Sequence, residues 1–490
     1  MSASGPIVSR FTLLSSCFRL HSFFEKGDNM STSSSINQTQ LTGKTLWIKK
    51  PLSVFTANRQ NADNGIVVRD GIIVELVAKG AEPSSEIDQI FDASRHVVIP
   101  GLVNTHHHLY QTLTRAFPPA LNKRLFPWLQ TLYPVWAKLQ PDMLHAATEL
   151  GLAELMLSGC TTVADHHYLF PQALTEAIDI QVSAARKIGN RVMLTRGSMS
   201  LGQDDGGLPP QSTVQTDAAI LDDCQRVITQ FHQTGPGAMV QLALAPCSPF
   251  SVTTDLMKET AKLARANSVR LHTHLAETED ENNFCLQTFG LRPVDYLESV
   301  GWLADDVWLA HGIHFNDDEI QRLGKAKVGI AHCPSSNMVL ASGICRTKEL
   351  QAAGAFVGLG VDGSASNDGS NMIQEVRQAL LINRLRYQAD EVTHQDALYW
   401  ATKGSANVLG RDDIGELAIG KQADIALFNL DEPRFSGSHD PLAALILCGA
   451  HRADYVMVAG QWQVEQGELI ASDINEIQLR HQASALLLVK

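Results

Sequence analysis

The sequence predicts an α/β fold, a distorted (β/α)8 TIM barrel with a small β-sandwich domain formed by both chain termini. Three observations lead there. From residue 96 of the 490 onward, eight short apolar runs each precede a helical stretch. The residues that close those runs are repeatedly His or Asp. Both flanks of the repeat alternate polar and apolar residues between glycine turns.

The eight runs are 96–103, 161–164, 191–195, 240–245, 269–271, 307–310, 328–331 and 357–361. They are apolar on both faces, as a parallel sheet covered by helices requires. The clearest amphipathic helices between them are 173–188, 253–266 and 371–387. A closed barrel carries its chemistry at the C-terminal ends of its strands. Those ends hold His106 and His108, Asp165 and His166, Arg196, Cys247, His272 and His274, His311, His332, and Asp362. An open doubly wound sheet would instead bind ligands at one switch point, and no glycine-rich dinucleotide loop is present for it. The barrel is assigned to residues 99–414.

The flanks, 44–98 and 415–490, read as one composite small β domain. Short strands are expected at 45–48, 65–68, 72–76, 425–427, 455–458 and 460–464. Asn64-Gly65 and Asp70-Gly71 supply hairpin signals. Neither half is large enough to bury a core alone, so the two are expected to pair with the barrel inserted between them. The connection 109–159 is too long for a plain crossover and carries Phe117, Phe126, Trp128, Tyr133 and Trp136. It reads as a helical excursion over the barrel mouth, a candidate lid. Residues 1–43 are expected to be a disordered leader. Arg10 and Arg19 are the only formal charges before Glu25, no Ala-x-Ala cleavage site follows, and Met30 offers an alternative start.

Composition narrows the partners. With 44% hydrophobic and 19% charged residues the chain is neither disordered nor fibrous. A net charge of −13 argues against a nucleic-acid partner, which needs a concentrated basic face, and leaves a small neutral substrate open. The eight cysteines form no CxxC pair, which predicts reduced thiols in a cytoplasmic protein. No run of eighteen apolar residues exists, so no membrane partner is expected.

The strand ends point to a metal. His106 and His108 are two apart, so in an extended strand both imidazoles face the same way, although His107 allows another register. His272-x-His274-x-x-Glu277 ends a later run, His311 closes the next but one before Asp362, and Asp362 follows an apolar run where an unpaired carboxylate would be costly. Histidines and an Asp delivered to one mouth suit a borderline-soft divalent ion such as zinc. Such an ion most simply activates water, and Glu277, three residues past His274, is placed to move a proton. The small zinc deaminases are excluded, because Pro246-Cys247 lacks the second cysteine at position 250, which is Phe.

Pro100-Gly101-Leu102-Val103-Asn104-Thr105-His106-His107-His108 resembles the opening metal motif of the amidohydrolase superfamily, in its cytosine/guanine/triazine deaminase branch. The stretches 271–278, 309–314, 332–338 and 360–363 are similar to that branch's later motifs, and the resemblance spans about residues 44 to 475. It implies one zinc per chain, or another divalent metal such as Fe2+, on His106, His108, His274 and Asp362. It further implies Glu277 as proton shuttle to a ring nitrogen, His311 as the group polarising the attacked position, and Asp362 as acceptor of the water proton. Within the branch, 108–115, 245–251, 340–344 and 362–368 are most similar to the subgroup that deaminates 8-oxoguanine to urate and ammonia. Guanine deaminases likewise place a purine-binding Gln where Gln111 stands, but have Arg-Phe where this chain has Cys247-Ser248. Hydroxytriazine, guanine and pterin aminohydrolases remain the competing reading. Gln111, Trp128, Arg196 and Cys247 are the candidate substrate contacts, and for Arg196 a salt bridge within the barrel rim stays open. The family likeness also implies a homodimer or larger homo-oligomer.

Overall fold

The computed structural model describes residues 43–490, so the expected leader lies, but for Gly43, outside the described residues. Eight parallel strands form one sheet in chain order: Leu102–Asn104, Cys160–His167, Arg191–Ser198, Val240–Pro246, Arg270–Leu275, Val307–His311, Gly329–His332 and Phe356–Leu359. The seam between last and first strand is closed by side-chain and loop bonds. Thr105 N–H donates to the Leu359 carbonyl at 2.9 Å, and Asp362 N–H to the His106 carbonyl at 3.0 Å. The Asn104 side chain accepts the Val361 N–H at 2.9 Å. These bonds fix His106 and Asp362 side by side across the seam. Below the His-bearing ends, Val103, Ala164, Met193, Ala243, Trp308 and Ala331 pack as one buried cluster from six of the strands.

Two further sheets are built from the termini. One has the order Ile72–Val77, Gly65–Arg69, Thr45–Lys49, Gln89–Asp92, and the other runs from Glu468–Leu469 through Gln461–Glu465, Tyr455–Val458 and Ile425–Asn429 to His96–Pro100 and Ser53–Val54. Leu46, Ile48, Ile66 and Val68 of the first join Val98, Ile425 and Leu427 of the second in a single buried cluster, which makes them a sandwich. Asp70 and Gly71, with φ of +51° and +80°, make the tight turn that the sequence signals. Asn64-Gly65 does not make one. Gly65 opens its strand at φ +125°, and a Cβ there would lie 2.0 Å from the Ile48 carbonyl oxygen.

The expected strand 96–103 is two strands. His96–Pro100 pairs antiparallel with Ile425–Asn429 in the terminal sheet, and only Leu102–Asn104 belongs to the barrel. Pro100 has no N–H to continue a ladder, and Gly101 approaches Thr161 so closely that a Cβ would meet its Oγ1 at 2.2 Å. A continuous apolar run conceals this change of sheet. Residues Ile474–Leu488 form a helix rather than strand, with Arg480 bonded to Glu149 at 2.7 Å and His481 to Thr112 at 3.1 Å.

Barrel and sandwich are riveted at the N-terminal end of the third strand. Arg191, fully buried, donates to both Asp424 oxygens at 2.6 and 3.2 Å and to Gln422 at 2.8 Å. Arg191→Met would leave Asp424 buried and unpaired. It is expected to destabilise the fold by about 3–5 kcal/mol, seen as a lower thermal midpoint, with kcat unchanged at temperatures where the variant is folded.

Candidate metal centre and substrate cavity

His106 and His108 follow the first strand, with His108 at φ −131° just before the 3-10 turn Leu109–Thr114. His274 comes from the fifth strand, and Asp362 follows the eighth. All four sit at one end of the barrel and their side chains are buried. Which nitrogens face inward follows from the hydrogen bonds around them. His272 Nδ1 donates to the Trp308 carbonyl at 2.9 Å, so its Nε2 is an acceptor. His106 Nδ1 donates to that Nε2 at 2.8 Å, which leaves His106 Nε2 a bare lone pair with no partner. His108 Nδ1 donates to the His166 carbonyl and His274 Nδ1 to the Cys247 carbonyl, both at 2.7 Å. Their Nε2 lone pairs therefore point at one another across 3.1 Å. Asp362 Oδ1 lies 3.4 Å from His106 Nε2 and 3.3 Å from His108 Nε2.

Three imidazole lone pairs and a carboxylate oxygen at such spacing repel unless a cation lies among them. Donors about 2.0–2.2 Å from a shared zinc ion in tetrahedral array stand roughly 3.0–3.5 Å apart, which is the spacing of His108 with His274, His108 with Asp362 and His106 with Asp362. The protonation states agree. Burial pushes the His106 and His108 imidazoles below their ordinary range and His274 down to about 3, the neutral state a metal donor needs. His272 is excluded as a donor by the same chain of bonds, and His107 turns away to Ser370 Oγ at 2.9 Å.

Glu277 and His311 flank this set. His311 Nε2 lies 3.5 Å from Glu277 Oε2 and 3.9 Å from Asp362 Oδ2, while its Nδ1 donates to Asn337 Oδ1 at 3.0 Å. Burial lowers the affinity of His311 for a proton, but the Glu277 and Asp362 carboxylates outweigh it and raise its pKa. Burial also raises the pKa of the Glu277 carboxyl, with His311 opposing it. His311 and Asp362 adopt φ of +71° and +62°, a costly backbone for non-glycine residues and one that clusters at functional sites.

A cavity opens over these groups. The helix Leu125–Trp136 of the long excursion walls it with Leu125, Trp128, Leu129 and Tyr133. Trp128 Nε1 donates to the Ala365 carbonyl at 3.2 Å and so ties this helix to the loop after Asp362. Gln111 lines the cavity, and its buried Oε1 has no partner. Cys247 also lines it, with burial pushing its thiol up to about 12, while its carbonyl orients His274.

Arg196 is not brought to the cavity. Its guanidinium donates to Asp223 at 2.7 Å and Gln215 at 2.8 Å and lies 3.7 Å over the Phe170 ring. A strand-end arginine buried without water needs such partners, and the chain supplies them within the barrel rim. Sequence reasoning also left several site groups without a role. His166, noted only as a strand-end residue, stacks on His274 with ring centroids 4.8 Å apart and gives Nε2–H to the Ala245 carbonyl. Tyr168 walls the cavity and Asn337 backs His311. Nothing in hydrophobic periodicity marks these positions.

Gly363 makes the Gln111 placement possible, since a Cβ there would meet Gln111 Oε1 at 1.9 Å. Gly363→Ala is expected to displace the amide. Were Gln111 a substrate contact, the lost hydrogen bond, about 1 kcal/mol, would raise KM about 5-fold with metal content unchanged, as steady-state kinetics and metal analysis would read.

The chain matches the amidohydrolase family model over residues 97–463. It is 64% identical over 443 residues to 8-oxoguanine deaminase of Pseudomonas aeruginosa, covering 90% of this chain and 99% of that protein. It is 35% identical over 455 residues to an isoxanthopterin deaminase from an unknown prokaryotic organism, covering 88% and 94%. Among solved structures, atrazine chlorohydrolase from Arthrobacter aurescens TC1 complexed with zinc superposes with a TM-score of 0.85 at 32% identity, over 90% of this chain and 100% of that one. Barrel, converging donors and these likenesses agree: the chain belongs to the amidohydrolase family.

Proposed function

We propose that the protein is a zinc-dependent aminohydrolase that converts 8-oxoguanine and water to urate and ammonia. The observation that carries the reading is the convergence of His106 Nε2, His108 Nε2, His274 Nε2 and Asp362 Oδ1, linked by contacts of 3.1, 3.3 and 3.4 Å, beside Glu277. The 64% identity to an 8-oxoguanine deaminase supports the substrate. The 35% identity to an isoxanthopterin deaminase keeps pterins as the second reading.

A zinc ion held by the four donors supplies a Lewis acid that lowers the pKa of water toward neutrality. The chain's residues do the rest. Asp362 accepts the proton of the attacking water at its carboxylate. Glu277 delivers a proton to the ring nitrogen next to C2, so attack on C2 leaves no negative charge on the ring. His311, held through Nδ1 by Asn337, donates from Nε2 toward the oxygen being added. The C2–N bond then breaks, ammonia departs with a proton returned through Asp362 or Glu277, and the C2 oxygen remains. Gln111 Oε1, a buried acceptor in need of a donor, takes a ring N–H. Trp128 closes the cavity as part of the lid, and Cys247 adds a small apolar surface against the ring. Arg196 has no place in this scheme.

The reading places a small heterocycle as the substrate and no nucleic acid or membrane as partner, in a cytoplasmic homodimer or larger homo-oligomer. Among the described residues no helix is long and apolar enough to cross a membrane, and all seven cysteines are free. The terminal sandwich would brace the N-terminal end of the barrel through Arg191 and Asp424, while the helix Ile474–Leu488 packs against the excursion 109–159. Ammonia release from 8-oxoguanine, guanine, isoxanthopterin and hydroxytriazines tests the assignment. The highest kcat/KM is expected on 8-oxoguanine, and a tenfold preference for any other ring would overturn it.

A further inference from the structure

Glu281 is a buried acid, 1% exposed, that lines the cavity and that none of the steps above uses. Its Oε1 accepts the Ala276 N–H at 2.9 Å and its Oε2 the Glu277 N–H at 3.0 Å. We propose that Glu281 is a positioning residue for the reaction, its carboxylate clamping the two amides that precede and belong to Glu277 and so fixing where the Glu277 carboxyl sits. The inference rests on the proton-shuttle role proposed for Glu277.

Several features carry it. The Glu277 side chain is itself held only loosely, by Ser342 Oγ at 3.4 Å and His311 Nε2 at 3.5 Å, so its position is set by its backbone. That backbone is strained: Ala276 has φ +53°, a left-handed conformation that a residue with a Cβ keeps only when its surroundings hold it there. The Ala276 carbonyl accepts the Ile313 and His314 N–H groups, both at 2.9 Å, which ties the clamped turn to the loop beyond His311. Glu281 has no Lys or Arg partner among the described residues, and burial pushes its pKa up to about 7 against the pull of the two amides. A buried carboxylate without a cation is expensive for folding alone. Its reach from the first turn of the helix Glu279–Phe289, four residues past Glu277, suits it to the clamp.

Glu281→Gln keeps the shape but turns one acceptor into an NH2 group facing a backbone N–H. The holoenzyme is measured for kcat, KM and zinc content as Glu281→Gln, as Glu277→Gln and as the double variant. Misplacing a catalytic group by about 1 Å costs up to about 10²-fold, so Glu281→Gln alone is expected to lower kcat about 10–100-fold with KM within about 3-fold and zinc content unchanged. In the Glu277→Gln background the same change should cost less than about 2-fold, because there is no carboxyl left to position. An unchanged kcat, loss of zinc, or losses that multiply in the double variant would overturn the proposal. If Glu281→Gln yields no folded protein, Glu281→Asp, which keeps both acceptors one methylene short, passes through the same cycle under the same criteria. Full activity of Glu277→Gln would remove the Glu277 assignment and this inference with it. An inactive Glu277→Gln beside a fully active Glu281→Gln removes the inference alone.

Discussion

Glu277→Gln protein is expected to hold as much zinc as the wild type and to release ammonia about 10²–10⁴-fold more slowly, the range a positioned acid–base group contributes. The two halves of that result have separate physical causes. No nitrogen or oxygen of the four-donor set belongs to Glu277, whose carboxyl meets His311 Nε2 at 3.5 Å and Ser342 Oγ at 3.4 Å. The amide is isosteric and retains an acceptor for Ser342, so zinc affinity and fold should persist. What disappears is a titratable proton beside the ring. Because the loss lies in a proton needed at the transition state, kcat and kcat/KM should fall together while KM moves little. Loss of zinc from this variant would make Glu277 a ligand and void its assignment as shuttle.

The second large effect is expected from His108→Ala, and its stability signature has an unusual sign. Removing one of four donors should strip the protein of zinc on dialysis and reduce activity to background, since water is no longer activated. In the wild type, a chelator is expected to lower the thermal midpoint, because zinc binds the folded state only. Zinc at about 100 times its Kd contributes about 2.7 kcal/mol. In His108→Ala the midpoint should not respond to chelator. The metal-free variant should also be no less stable than metal-free wild type apart from the packing lost, since the opposed lone pairs of His108 and His274, 3.1 Å apart, are no longer both present. Thermal unfolding of the two proteins with and without chelator reads both terms.

The parts of this site that were legible in the sequence share one property: they depend on local spacing. Short Val/Ile/Leu runs ending in His or Asp give the strands and their functional ends, and residues two apart on an extended backbone give His106 with His108. The choice of His274 over His272 came from family resemblance. In the structure it has a physical cause, since the Trp308 carbonyl takes His272 Nδ1–H and leaves Nε2 to receive His106. What stayed hidden depends on partners distant in the chain. Arg196 looks like a lone charge at a strand end, and only the fold brings Asp223 and Gln215 to it. The run 96–103 is apolar throughout because it passes from one buried sheet to another, so hydrophobicity cannot mark the break that Pro100 and Gly101 make. His166 and Glu281 carry no motif of their own, and they matter through the rings and amides they touch.

Anomalous diffraction at the zinc edge from crystals of the purified holoenzyme tests the centre itself. A single peak is expected, about 2.0–2.2 Å from His106 Nε2, His108 Nε2, His274 Nε2 and an Asp362 oxygen, with His272 and Glu277 outside ligand distance. No peak at the barrel mouth, or one bound through His272 or His107 instead, would contradict the account.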